Sequence, residues 1–391
     1  MHGVRTTLIA IACALVALFA GIWLGAHPGS LPDPVRDAFV PEEDAVRAEL
    51  IDLIQDNFVR EVDEDDLEQA SLRGIVQSLD DQFSHYFTPE EAQALRQSIE
   101  GEFDGVGMTV DEVRRGLVVV SVFDGSPAER AGIRPEDVIT EVDGRSIAGV
   151  PLDVATARIK GPPGTSVELT VLRPDTDRTR TVDVERERIS VPITDGDVRT
   201  VRGTRLGVVQ LSTFSSGAHG RLRSEIERLL ERGAEGLVLD LRDNGGGLLQ
   251  EAVLVASLFL EDGEVVTTDG RAKPRRVFDA RGDAIDEDVP LVVLVNRGSA
   301  SASEIVTGAL RDRERATIAG TRTFGKGVFQ EIESLSNGGA LDITVGSYFL
   351  PDGEDISQKG IEPDVRARDD ADTEADEALQ AALRTLRAHV R

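Results

Sequence analysis

Two short stretches of this 391-residue sequence carry side chains that could do covalent chemistry. The first is Gly298-Ser-Ala-Ser-Ala-Ser-Glu304, which follows an apolar run, Leu291 to Val295, and precedes the amphipathic start Ile305 to Leu310. The run reads as a buried strand and the continuation as a helix. A strand feeding a helix through small residues brings backbone N–H groups and the positive end of the helix dipole to one point. Ser301 in that position could act as a nucleophile. The same residues, Ser301-Ala-Ser-Glu304, also spell a capping box, in which Ser301 caps the helix and Glu304 reaches back. On this stretch alone capping is the simpler reading.

The second is Phe324-Gly-Lys-Gly327. The chain has only four lysines (Lys160, Lys273, Lys326 and Lys359) against 39 arginines, and Lys326 is set between glycines just before a strand expected over Val328 to Ile332. Neighbours without side chains let a lysine turn inward, and loss of water lowers an amine's pKa toward that of a base. Arginine does not give up its proton in that way. A serine and a neutral lysine make a nucleophile–base dyad. Gln330 lies four residues beyond Lys326, an even spacing that on a strand places both on one face. A third stretch, Asp240-Leu-Arg-Asp-Asn-Gly-Gly-Gly247, also follows an apolar run. Its glycines could bring N–H groups close to a carbonyl, or make only a tight turn. Contiguous glycines with no lysine after them fit neither a dinucleotide fingerprint nor a phosphate loop.

The elements that must position these residues read as an α/β core. Strands at 206–211, 236–241, 291–295, 316–318, 328–332 and 341–349 alternate with helices at 220–232 and 248–260, a pattern of parallel strands. Residues 101–188 change to short strands and turns, with two short helices after Gly125-Ser-Pro and over Val154 to Ile159. Residues 31–100 read as helical, with Val46, Leu50, Leu53, Ile54 and Phe58, then Leu67, Leu72, Ile75 and Leu79, as packed faces. Leu8 to Ala26 is a 19-residue stretch without charge, long enough to span a membrane. Residues 1–30 are read as an anchor that leaves the rest outside the cytoplasm, in the cell envelope, or alternatively as a cleaved signal peptide. Pro32 and Pro34 mark a linker. Residues 367–391 form an acidic, then helical tail.

Composition closes off several classes. A net charge of −28 excludes a nucleic-acid surface, which needs Lys and Arg. The single cysteine, Cys13, excludes a disulfide framework and a Cys-based metal site. No His, Asp and Glu cluster has metal-ligand spacing, and no cofactor is expected. His219 is the one histidine in the α/β part; a Ser-His-Asp triad built on it remains an alternative.

The stretch SPAERAGIRPEDVITEVDG at 126–144, with the order of elements around it, resembles a PDZ domain. The resemblance implies that Gly105, Val106, Gly107 and Met108 bind a peptide's terminal carboxylate through their N–H groups while the peptide adds as a strand. From about residue 40 to Asp364 the chain resembles the C-terminal processing peptidases, also called tail-specific proteases. The motifs are SLDD at 78–81, the PDZ segment, DLRDNGGG, SASASE, GKGVFQ and KGIEPD. The resemblance implies a multi-domain α/β protein: residues 31–100 helical, a PDZ domain over 101–188, β-rich with two helices, and a peptidase core over 189–366 with a crotonase- or ClpP-like fold. It implies a serine endopeptidase with Ser301 as nucleophile, Lys326 as base and Gln330 as its orienting partner. Ala302 and Gly246 or Gly247 would form the oxyanion hole. Asp312 stands where some members have a supporting acid, and Lys160 where a basic residue gates the dyad. Expected partners are protein substrates with flexible C-terminal tails, an activating adaptor, the membrane through residues 8–26, and a second copy of the chain. Two other classes stay open: an inactive PDZ scaffold of the envelope, and a hydratase of similar fold with acidic catalytic residues.

Overall fold

The computed structural model describes residues 42–282, 284–285, 288–370, 373 and 375–390. The expected membrane segment at 8–26 and the linker with Pro32 and Pro34 lie outside these residues. Among the described residues no helix is long and apolar enough to cross a membrane. The chain divides into two units after Thr88.

The first unit holds helices α1 (Glu42–Asn57) and α2 (Glu64–Gln77) and strand β1 (His85–Phe87). Asp63 caps α2, accepting the N–H of Asp65, and three acids in the first turn suit the helix dipole. The faces expected to pack do so only in part. Ile54, Leu67 and Leu72 are half-buried, but Val46, Leu50, Leu53, Phe58, Ile75 and Leu79 are exposed, whereas Ile51 and Val76 are buried. Two helices and a three-residue strand offer too little apolar surface to cover every face.

The second unit opens with α3 (Pro89–Glu100) and β2 (Glu102–Gly105). A β-rich module follows: β3 (Met108–Val113), β4 (Gly116–Val122), α4 (Pro127–Arg130), β5 (Val138–Val142), β6 (Arg145–Ser146), α5 (Leu152–Ile159), β7 (Ser166–Arg173) and β8 (Arg178–Glu185). Its strands pair antiparallel in the order β3-β4-β5-β7-β8 around buried Leu117, Ile139, Ile147 and Leu169. Strand β9 (Glu187–Ser190) pairs back with β2, so the module enters and leaves the core through one two-stranded ribbon.

The core contains β10 (Thr194–Val201), β11 (Thr204–Leu211), α6 (Ala218–Glu231), β12 (Leu237–Asp240), α7 (Leu249–Ser257), β13 (Glu264–Gly270), β14 (Lys273–Asp279), β15 (Leu291–Val295), α8 (Ala302–Asp312), β16 (Thr317–Gly320), β17 (Val328–Ser334), β18 (Ala340–Phe349), β19 (Val365–Arg366) and α9 (Glu377–His389). Six strands form one sheet in the order β10-β11-β12-β15-β16-β19, parallel except for β10. Both faces are covered, which is why β12 and β15 are buried at every position and apolar at all but Asp240. Leu237, Leu239, Leu291, Val293 and Val295 pack with α6, α7 and α8, while Val238, Val292 and Leu294 meet Ala382, Leu383 and Leu386 of α9. The acidic-then-helical tail therefore closes the second face of the sheet.

The strands at 328–332 and 341–349, expected within the parallel alternation, belong to a separate antiparallel sheet. There β18 pairs with β17 and β13, and β13 with β14. The hairpin of β13 and β14 was not foreseen from the sequence.

Candidate active site

Parallel pairing of β12 and β15, with Asp240 opposite Leu294, ends the two strands side by side. Crevices beyond the carboxyl ends of such strands are where α/β proteins bind ligands. The loop after β12 carries Gly245 to Gly247, and the turn after β15 carries Ser301. The two are bonded together repeatedly. Ala300 N–H donates to the Asn244 carbonyl at 3.1 Å, the Ser303 hydroxyl to the same carbonyl at 2.8 Å, and the Ser299 hydroxyl to the Leu241 carbonyl at 2.7 Å.

Glycine is required where the loop touches the turn. Gly246 has φ +105°, and a Cβ there would lie 2.8 Å from Ser301 Cβ and 3.0 Å from Ala302 N. Gly247 has φ +145°, and its Cβ would lie 2.5 Å from the Phe214 carbonyl oxygen. The two glycines expected as oxyanion donors differ in one respect. Gly246 N–H already donates to the buried Asn244 Oδ1 at 2.9 Å, so of the pair Gly247 suits a bound oxyanion better.

Ser301 has the left-handed φ of +55° and begins α8. Its N–H donates to Glu304 Oε2 at 3.0 Å, the reach-back half of a capping box. The N–H of Glu304 also bonds the Ser301 carbonyl at 2.8 Å.

Glu304 is fully buried. Besides Ser301 N–H it accepts the Thr323 hydroxyl at 2.6 Å, Gly325 N–H at 2.7 Å and Lys326 N–H at 3.0 Å. Four donors satisfy this buried carboxylate. It joins the serine turn to the lysine loop. Tyr348, also buried, adds a second link: its hydroxyl accepts Gly327 N–H at 3.3 Å and donates to the Ser301 carbonyl at 3.5 Å. Burial, then the negative charge of Glu304, hold this phenol well above its ordinary pKa, so it stays a neutral donor. Sequence reading saw Glu304 only as a cap partner and passed over Tyr348; no spacing rule points to either.

The same-face argument for Lys326 and Gln330 does not hold. Gly325 (φ +90°) and Gly327 (φ +59°) break the extended backbone, β17 starts only at Val328, and the strand register shifts between Phe329 and Gln330. Ser301, Ala302, Gly247, Lys326 and Gln330 nevertheless all line one cleft of about 730 Å³. The Gln330 amide donates to the Thr344 hydroxyl at 3.0 Å.

Other candidates lie elsewhere. Asp312 ends α8, where it accepts from Arg311 at 2.8 Å and from Asp352 N–H at 3.2 Å; burial raises its pKa. It is not among the residues lining the cleft. His219 Nδ1 is 2.8 Å from Glu251 Oε2 and is not a lining residue either. Among the described residues no group of three or more His, Cys, Asp and Glu could hold a metal.

At the loop expected to bind a peptide, Gly107 has φ +82° and a Cβ there would lie 2.3 Å from Ser126 Cβ. The carbonyls of Val106 and Gly107 accept from Ala128 N–H at 2.8 Å and Phe123 N–H at 3.0 Å, and Met108 begins β3. The Lys160 ammonium lies 5.8 Å from the centroid of the Phe103 ring, beside this loop.

Comparison with known proteins agrees with the motifs. The "Peptidase family S41" model matches residues 205–367, and a PDZ domain model matches residues 105–185. A "Probable CtpA-like serine protease" of Staphylococcus aureus (strain COL) is 38% identical over 315 residues, which are 80% of this chain and 62% of that protein. The protein of the same description from Staphylococcus saprophyticus is 33% identical over 360 residues, 92% of this chain and 71% of its own length. The chain thus spans just under two thirds of the length of the Staphylococcus aureus relatives. A solved Bacteroides fragilis structure assigned to the S41 proteases shares the fold, with TM-score 0.52, 17% identity, and coverage of 87% of this chain and 97% of that one. The chain belongs to the C-terminal processing peptidases of family S41 and carries a PDZ domain.

Proposed function

We propose that this protein is a serine endopeptidase that cuts polypeptides near their C-termini with a Ser301–Lys326 dyad. The observation that carries the reading is one carboxylate, Glu304, bonded to the N–H groups of both Ser301 and Lys326 at the wall of a single cleft. A flexible tail enters as a strand while its terminal carboxylate rests on the N–H groups of Gly105 to Met108. The neutral Lys326 amine takes the Ser301 proton as the hydroxyl attacks the scissile carbonyl. The oxyanion is met by the N–H groups of Ala302 and Gly247, each worth about 3 kcal/mol of barrier. Lys326 then protonates the leaving amine, and water releases the acyl group. Gln330 orients the amine from the same cleft. The uncharged run at 8–26 supports a place outside the cytoplasm, held at the membrane, where unfolded protein tails are the substrates.

The test is cleavage of an unstructured protein with an apolar C-terminal tail, followed by mass spectrometry of the products. The full chain is compared with Ser301→Ala and Lys326→Ala. Cleavage lost in both variants is the expected result. Activity surviving in Lys326→Ala would move the base elsewhere, and tail binding without cleavage by the unaltered chain would favour the scaffold reading.

A further inference from the structure

One wall of the cleft carries a feature that the dyad does not use. Strand β14 reads Lys273-Pro-Arg-Arg-Val-Phe-Asp279, and its alternate residues Pro274, Arg276 and Phe278 all line the cleft that holds Ser301. Lys273, at the start of the strand, lines it as well; from Pro274 on the lining residues alternate, as a strand presenting one face to the cleft requires. The Arg276 guanidinium carbon lies over the Phe278 ring, 4.5 Å from its centroid, a cation–π contact that holds the cation on that side of the strand. Lys273, on the same strand, is neutralised by Glu331. Among the described residues no carboxylate pairs with Arg276, in a chain with 71 acidic residues. Also among the described residues of this unit, β14 pairs only with β13, so an extended polypeptide entering the cleft meets an open strand edge.

We propose that Arg276, backed by Phe278, is an anion subsite on the wall of the Ser301 cleft that takes a carboxylate of the bound polypeptide. The proposal rests on the peptidase reading of that cleft. A planar guanidinium offers paired donors that match a carboxylate, and the ring beneath it leaves its outer edge for the ligand. Charge on an edge strand also discourages pairing with stray strands. That duty needs no ring contact and no position on the cleft-facing side, and Arg275 meets it equally well. The carboxylate is that of an acidic side chain near the scissile bond, since the free C-terminus is assigned to the loop from Gly105 to Met108.

The test uses two peptide pairs built on one apolar-tailed sequence. The first pair differs by Glu against Gln near the scissile bond; the second differs by a free against an amidated C-terminus. For the unaltered chain, kcat/KM for the Glu peptide is expected to exceed that for the Gln peptide by two- to fivefold, the range of a solvent-exposed ion pair. Arg276→Gln should bring that ratio to about one, and so should raising the salt to about 0.5 M. The free-to-amidated ratio should be the same in the unaltered chain and in Arg276→Gln, as expected of a terminus held by the loop from Gly105 to Met108. A Glu-to-Gln ratio near one for the unaltered chain, or one that persists in Arg276→Gln, would overturn the subsite. The same peptides, labelled, are titrated against Ser301→Ala and Ser301→Ala/Arg276→Gln by fluorescence anisotropy. If no peptide is cut but the binding ratio still depends on Arg276, the peptidase reading fails and the subsite stands.

Discussion

Replacing Gly246 by alanine tests whether the glycine loop and the serine turn are one device. The backbone at Gly246 has φ +105°, which L side chains rarely adopt, and such strain costs on the order of 1–3 kcal/mol. The new methyl would also meet the Ala300 carbonyl oxygen and Ser301 Cβ at 2.8 Å and Ala302 N at 3.0 Å. Ordinary contact begins near 3.4 Å, and overpacking of this kind costs typically another 1–3 kcal/mol. Together these give about 2–6 kcal/mol. The neighbours are two backbone atoms and a Cβ fixed to the backbone, not flexible side-chain ends, so the loop must either stay and destabilise the fold or move away from Ser301. Moving it withdraws the Gly247 N–H, and losing one oxyanion donor lowers kcat by about 10²- to 10³-fold. Denaturant unfolding and kcat on an unstructured substrate, measured together, should show at least one of these effects. Gly245→Ala is the control: no atom lies within 4 Å of its added Cβ, so stability should change by less than about 1 kcal/mol. If Gly246→Ala is as stable as the unaltered chain and keeps kcat within twofold, the loop does not form the site described here.

Glu304→Gln keeps the shape of the hub but leaves one acceptor oxygen where two serve four donors. Two donors then face an amide NH₂, at about 1–3 kcal/mol each, so the denaturant midpoint should drop and kcat with it. Asp376 starts α9 and accepts two hydrogen bonds from Arg242, at 3.0 and 2.9 Å. Burial raises its pKa, but the Arg242 hydrogen bonds outweigh this and hold it below the ordinary carboxylate value. A lowered folded pKa adds stability above the unfolded pKa of about 3.9, and that contribution is lost as pH falls through the folded value. Asp376→Asn should therefore lower stability at neutral pH and flatten its decline in acid, as read from unfolding curves between about pH 2 and 7.

The local signals in the sequence were readable because they sit in contiguous residues. The apolar run Leu291 to Val295 and the small-residue turn gave β15 and the start of α8, and the rarity of lysine singled out Lys326. The PDZ segment was equally plain from its short strands and turns. What escaped depends on contacts between distant residues. The acid that joins Ser301 to Lys326 lies 22 positions before the lysine, and the sequence could show only its local reach to Ser301. Tyr348 meets Gly327 and Ser301 across a different sheet. The β13–β14 hairpin has a charged outer strand, Lys273 to Asp279, with no alternation strong enough to mark it. Helix α9 follows a run of acids that reads as a solvated tail; its role is set by Ala382, Leu383 and Leu386 meeting the far face of the sheet. The failed same-face argument for Gln330 has a local cause, since glycines flanking Lys326 end the strand geometry that it assumed.

The left-handed backbone at Ser301 has a consequence for how this chain can vary. At φ +55° and ψ −114° glycine would be more comfortable than serine, so the residue proposed as the nucleophile is also one where the fold is weaker than it could be. Selection for a sturdier protein alone would push this position toward glycine and abolish the hydroxyl. A serine retained there marks a compromise between durability and reactivity. An engineer seeking a hardier version of this protein should look for compensating substitutions far from the turn, in α9 or the PDZ core, and leave the tension at Ser301 in place.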